Sequence, residues 1–268
     1  MSDPVDGQAR SPHGSAPTRR ALARLLLSTL DLTRLEDEAD DSEVRALCRR
    51  GDTAFGTPAA VCVYPRFLAA ARDELETLNL AGTVSLATVV NFPRGAAEPE
   101  RAAAETRQAI ALGADEIDAV LPWKALRLGD DAVGQRLVEQ CRAAAPGKIL
   151  KVILETGMLS KPELVRRAAA IAIGAGADFI KTSTGKTEIG ATQEAVSAML
   201  ETIVAHDAHC GIKISGGVRT IDEAIAYLEL AAGRLGREWI DPARFRIGAS
   251  SLLDDLLAVL DPPAENGR

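Results

Sequence analysis

Three lysines, Lys151, Lys181 and Lys213, each interrupt a short apolar run, in KVILE, DFIKTSTGK and GIKISGG. Placing an ammonium in such a run desolvates it, and a second cation nearby repels it. Both effects lower the lysine pKa and release a nucleophilic amine, the group that forms a Schiff base with a carbonyl. A lone lysine at a strand end ordinarily lays its stem along apolar surface and keeps its head in water, and Lys148 and Lys161 are read that way. Three lysines in one repeated setting, two of them followed at once by glycine-bearing, hydroxyl-rich turns, are read as a common site.

Such a site needs elements that bring distant residues together. Eight short apolar or β-branched runs begin at Leu30, Ala60, Thr83, Asp115, Lys148, Asp178, Gly211 and Arg244. Between them lie helical patterns such as PRFLAAARDELETL, EPERAAAETRQAIALG, KPELVRRAAAIAIGAG and TIDEAIAYLELAAG, with Pro, Thr or Asp near their starts and glycine near several ends. Strands that are apolar almost throughout are buried on both faces and pair in parallel. Eight strand-helix units of this kind predict a single-domain α/β fold, the (β/α)8 TIM barrel. ALARLLLSTL adds a helix before the first strand, and SLLDDLLAVL closes the chain. A doubly wound sheet is the alternative, but no GxGxxG follows the first run. Residues 1–18 carry too little apolar surface to order and are read as a disordered tail, 19–260 as the barrel, and 261–268 as a C-terminal tail.

Composition limits the function. The 268 residues are 47% hydrophobic but only 3% aromatic, which suits small-residue helices on an aliphatic sheet. A net charge of -7, with no basic stripe, argues against nucleic acid. No run approaches the roughly 20 apolar residues of a membrane span. Cys48, Cys62, Cys141 and Cys210 are widely spaced, with no CxxC and only three histidines, so neither a disulfide framework nor a metal site is expected. The expected location is a reducing cytoplasm.

In a barrel the active site lies at the carboxyl ends of the strands. The polar residues there are Asp31 and Thr33, Cys62, Asn91, Asp118, Lys151 with Glu155, Lys181 with Thr182, Ser183 and Thr184, Lys213 with Ser215, and Ser250 with Ser251. In the fifth run Ile149, Lys151 and Ile153 share one face, and Lys151 points into the barrel if the aliphatic face packs on helices. The turns TSTGK, GGVR and GASS follow the sixth, seventh and eighth strands. Their backbone amides, hydroxyls and cations suit a phosphate, here at Gly185, Lys186, Gly216, Gly217, Arg219, Gly248, Ser250 and Ser251.

These residues carry a resemblance. From DLT at Asp31 through VCVYPRF, VVNFPRG, GADEIDAV, LKVILETG, GADFIKTSTGK and GGVRT to RIGASSLL, the chain resembles the deoxyribose-phosphate aldolases, a family of class I aldolases. The resemblance implies reversible cleavage of 2-deoxy-D-ribose 5-phosphate to acetaldehyde and D-glyceraldehyde 3-phosphate, with no cofactor and no metal, by a homodimer. It makes Lys181 the Schiff-base lysine, Lys213 the second lysine that keeps Lys181 deprotonated, Asp118 the aspartate of a proton relay, and Lys151 a member of the same network. It places Asp31, Thr33, Cys62 and Thr184 along the substrate and leaves Glu116 and Glu155 unassigned. Some relatives end in a tyrosine that reaches the active site, whereas this chain ends PPAENGR; some have a proline where this chain reads KISGG. Another phosphosugar aldolase or isomerase on the same barrel, or a phosphosugar-binding protein without activity, remain the alternative readings.

Overall fold

The computed structural model describes residues 17–206 and 209–262. The expected tails therefore lie outside the described residues, except for Pro17 and Thr18 at one end and Asp261 and Pro262 at the other.

Among the described residues eight strands form one closed, all-parallel barrel, hydrogen-bonded in chain order: β1 (Leu30–Arg34), β2 (Ala60–Val63), β3 (Ser85–Val90), β4 (Glu116–Val120), β5 (Ile149–Ile153), β6 (Phe179–Lys181), β7 (Gly211–Ser215) and β8 (Phe245–Ala249). All eight expected runs contain a strand. The surrounding helices are α1 (Arg19–Ser28), α2 (Asp41–Gly51), α3 (Leu68–Thr77), α4 (Pro99–Ala111), α5 (Trp123–Arg127), α6 (Asp131–Ala144), α7 (Thr156–Leu159), α8 (Pro162–Gly174), α9 (Gln193–His206), α10 (Ile221–Leu235) and α11 (Leu252–Leu260). None is long and apolar enough to cross a membrane.

The helix boundaries follow from local chemistry. Thr18 caps α1 by accepting from Ala21 N; Asp40 with Glu43 and Thr220 with Glu223 form reciprocal capping boxes at α2 and α10. Pro99 and Pro162 open α4 and α8, where a missing N–H leaves no bond unmade. The extra helix α1 buries Leu22, Leu26 and Leu27 and packs on α10 and α11, beside the seam where β1 meets β8.

Alternation along the strands divides the core in two. Outward residues such as Leu32, Val61, Leu86, Ile117, Leu150, Val152, Ile212 and Ile247 join the helices in one large apolar layer. Inside the barrel the apolar side chains form a small cluster of Leu35, Ala60, Cys62, Ala87 and Val89, all from the β1 to β3 side. The β4 to β8 side is filled mainly by charge, joined by Asp31 of β1. At its amino-terminal end Phe179 packs against Gly211, where an added Cβ would stand 2.5 Å from the ring and 2.7 Å from Arg244 O.

Gly211→Ala is accordingly expected to destabilise the fold by about 1–3 kcal/mol, because neither the ring nor the backbone can give way in a packed barrel. Urea unfolding of the purified variant measures this, and a midpoint equal to that of the wild type would show that the floor of the barrel is loosely packed.

Candidate active site

In-register partners of neighbouring parallel strands point to the same face, so the strand pairing alone puts the ionisable residues side by side. Asp118 is the partner of Lys151; Lys181 is the partner of Lys213, which is in turn the partner of Arg246. Three cations on adjacent strands would repel one another, and carboxylates from across the barrel come between them. Asp118 Oδ1 accepts from Lys151 Nζ at 2.8 Å, and Oδ2 accepts from Lys181 Nζ and Lys213 Nζ, both at 2.7 Å. Glu116, two residues before Asp118 and on the same face, lies 2.5 Å from Lys151 Nζ and accepts from Arg246 Nη2 at 3.0 Å. Asp31 Oδ1 accepts from Arg246 Nη1 at 2.6 Å. Its Oδ2 lies 2.5 Å from Lys213 Nζ and 3.5 Å from Lys151 Nζ without an aligned hydrogen bond, so these are contacts of charge.

None of these groups is more than 4% exposed, and their protonation is set by their neighbours. Burial alone would raise the Asp31 and Asp118 carboxyls, but the surrounding cations outweigh it and hold both below the ordinary aspartate value. For Lys151 and Lys213 burial opposes the charged form, yet the carboxylates win and both pKa values rise. Lys181 goes the other way: burial leads, the charge on Lys213 adds to it, and the single carboxylate Asp118 does not compensate. Of the three lysines it is the one whose pKa falls, in the direction of the free amine.

Lys181 is also the lysine that reaches space. A cavity of about 230 Å³ opens at the carboxyl ends of the strands, with Lys181 in its lining; Lys151 and Lys213 lie beneath it, fully buried. Thr33 and Thr184 line the cavity with Gly185 and Lys186 on one loop, Gly216, Gly217 and Arg219 on the next, and Gly248, Ser250 and Ser251 on the last. Gly216 and Gly217 both take positive φ, 88° and 97°, a turn that glycine adopts without strain. Gly248 has a packing reason as well, since an added Cβ would stand 2.9 Å from Lys213 Cε.

Two residues expected along the substrate do not line the cavity. Asp31 does not line the cavity; it is the second residue of β1, level with Gly248, and is spent on Arg246 and Lys213. Cys62 is equally buried, inside the small apolar cluster, and burial pushes its thiol pKa up. Asn91, at φ 52°, does not line the cavity; its side-chain amide ties Ala96, in the loop after β3, to Val120 O at the end of β4.

Arg246 was not singled out by the sequence, although an arginine inside the apolar run RFRIG is the same signal that marked the lysines. Glu116 and Glu155, left unassigned there, both prove to be structural anchors. Glu155, fully buried at φ 56°, accepts from Thr184 N at 3.2 Å, from Thr184 Oγ1 at 2.6 Å and from Thr187 Oγ1 at 3.3 Å, and so clamps the loop after β6. Among the described residues no three His, Cys, Asp or Glu side chains converge as metal ligands.

The model of the DeoC/LacD family aldolases matches residues 25–258. The chain is also similar to a Toxoplasma gondii protein provisionally named a deoxyribose-phosphate aldolase, with 26% identity, 92% of this chain and 98% of that one covered, and a TM-score of 0.85. A Coccidioides immitis protein provisionally named in the same way is 26% identical over 92% of this chain and 91% of its own, with a TM-score of 0.74. A tetrameric deoxyribose phosphate aldolase from Aeropyrum pernix is 26% identical over 90% and 98%, with a TM-score of 0.69.

Removing the Glu155 clamp should loosen the loop it holds without unfolding the barrel. In Glu155→Ala, amide hydrogen exchange over 183–190 is expected to accelerate by about tenfold or more, the loss of one to two charge-assisted hydrogen bonds. Unchanged protection there would show that Glu155 is not what fixes the loop.

Proposed function

The chain belongs to the DeoC/LacD aldolase family and is a class I aldolase, a carbon-carbon lyase, and from that premise we propose that it cleaves 2-deoxy-D-ribose 5-phosphate reversibly through a Schiff base on Lys181. The observation that carries the reading is that Lys181 alone among the three lysines combines a lowered pKa with a place in the cavity wall.

In this reading the open-chain sugar presents its C1 aldehyde to the neutral Lys181 amine. Addition and loss of water give a protonated imine, an electron sink conjugate to C2. A base removes the C3 hydroxyl proton, the C2–C3 bond breaks, and its electrons pass to C2 as an enamine while C3 becomes the aldehyde of D-glyceraldehyde 3-phosphate. Protonation of C2 and hydrolysis return acetaldehyde and the amine. Asp118 touches both Lys181 and Lys213 at 2.7 Å, which supports a proton relay through these groups. Lys151, bound to the other oxygen of Asp118, fixes its orientation.

The phosphate falls to the opposite wall. Gly216 and Gly217 bring backbone to the cavity wall, Lys186 and Arg219 bring charge, and Ser250 and Ser251 stand immediately before α11, whose N-terminal N–H groups favour an anion. The two acids in the first turn of that helix are engaged elsewhere, Asp254 with Arg50 and Asp255 with Ile221 N. Thr33 and Thr184 lie along the sugar between the two ends. The homodimer implied by the resemblance belongs to the same proposal, and the tetramer of the Aeropyrum pernix relative makes solution size its direct test.

Lys181→Arg is expected to reduce cleavage by on the order of 10^4-fold or more while circular dichroism stays unchanged, since a guanidinium remains protonated and cannot add to a carbonyl. Borohydride with substrate should reduce the wild-type imine onto Lys181 and leave the variant unlabelled, as seen by peptide mass. Labelling at another lysine, or none, would reject the assignment.

Ser250→Glu places a carboxylate against the substrate phosphate and should raise KM for deoxyribose 5-phosphate by about tenfold or more. Unphosphorylated deoxyribose should be affected far less. Equal losses for the two sugars would move Ser250 away from the phosphate.

A further inference from the structure

The contacts of the barrel interior close on themselves. Starting at Arg246, the path runs to Asp31, Lys213, Asp118, Lys151, Glu116 and back to Arg246, every step between opposite charges, with separations of 2.6, 2.5, 2.7, 2.8, 2.5 and 3.0 Å. The ring holds three cations and three carboxylates and is neutral by itself. Lys181 hangs outside it, bound to Asp118 alone. A fourth cation in a buried, already neutral cluster is the one whose charge nothing balances.

We propose that Arg246 and Glu116 are positioning residues for Lys181: as ring members they fix the charge parity of the barrel interior, so that the proton lost at working pH is the one on the cation outside the ring. The inference rests on the Schiff-base reading of Lys181 and adds two residues that do not line the cavity. Arg246 is held for this by Asp31 and Glu116 on one side and by the Phe179 ring, 5.6 Å from its Cζ, on the other. Arg246 and Lys181 are linked only through the ring, by way of Asp31 and Lys213 or of Glu116 and Lys151. The other groups that face Lys181 do not alter the parity. Cys62 on β2 is a buried thiol, neutral at working pH, and β3 contributes only Ala87 and Val89 to the interior. Glu36, Lys186 and Arg219 face the cavity from its solvent side, where water screens them.

The parity argument makes opposite predictions for the two residues. Neutralising the arginine in Arg246→Met leaves three lysines against three carboxylates, so Lys181 should keep its proton, and the acid limb of kcat/KM should move up by about one pH unit or more. Neutralising the carboxylate in Glu116→Gln leaves four cations against two carboxylates, and the limb should move down by a similar amount. The double variant restores the balance and should bring the limb back toward the wild-type position, while Arg246→Lys, which keeps the charge, should leave it in place even where it lowers the melting temperature. The experiment is the pH profile of kcat/KM for deoxyribose 5-phosphate cleavage, run beside borohydride trapping over the same pH range. Limbs of Arg246→Met and Glu116→Gln that coincide with the wild type, or that move in the same direction, would overturn the inference. If Arg246→Met does not fold, Glu116→Gln decides alone: a downward shift supports the parity argument and an unmoved limb overturns it. Wild-type enzyme that borohydride never traps would overturn the Schiff-base reading itself, a failure distinct from trapped enzyme with unmoved limbs.

Discussion

A carboxylate that touches three ammonium groups in the middle of a barrel is an expensive arrangement, because every member has left water. Asp118 is tolerable only if the cations are themselves balanced, and the further carboxylates come from β1, as Asp31, and from its own strand β4, as Glu116, with Arg246 of β8 bridging the two. Each of these would be a liability alone. An unpaired Glu116 or Arg246 at this depth would cost several kcal/mol, whereas in the ring each charge meets two of opposite sign.

This requirement explains the division of the barrel interior. Charges fill the side of β4 to β8, where in-register pairing sets Lys181, Lys213 and Arg246 on neighbouring strands. The β1 to β3 side carries the apolar cluster of Leu35, Ala60, Cys62, Ala87 and Val89. The ring itself is a weak source of stability, since buried ion pairs roughly offset their own desolvation. Cohesion comes instead from the apolar layer between strands and helices. The fold thus separates two tasks: an aliphatic shell holds the barrel together, and the interior is free to be electrostatically unusual.

The cavity wall is built by a third device, polar bonds between successive loops. Thr182 Oγ1 donates to Ser215 O at 2.8 Å and accepts from Ser215 N at 2.9 Å, Ser215 Oγ donates to Ser183 O at 2.6 Å, and Glu155 reaches over to Thr184 and Thr187. These bonds tie the loops after β5, β6 and β7 into one rim, so that the glycine turns lie beside the lysine they serve. A rim tied in this way holds the amides and cations around the Lys181 amine in fixed positions.

The local pattern of the chain determined a good deal. Periods of two and of about 3.6 separated strands from helices, and eight alternating units left the barrel as the economical closure. A lysine inside an apolar run is legible when the setting repeats, because snorkelling explains one such residue more readily than three, and the three lysines do converge on Asp118. Period-two alternation sufficed for Lys151, which does point inward. What the sequence could not say is how deep each inward residue lies, because depth depends on the stagger of the strands around the barrel. Asp31 and Thr33 are two residues apart on one face, yet only Thr33 reaches the cavity. The depth of Cys62, buried below the cavity, was hidden for the same reason. Which of three similar lysines carries the lowered pKa was equally a tertiary decision. It follows from the number of carboxylates that surround each, two or three for Lys151 and Lys213 but one for Lys181, and that number exists only once β1, β4 and β8 have closed around the same space.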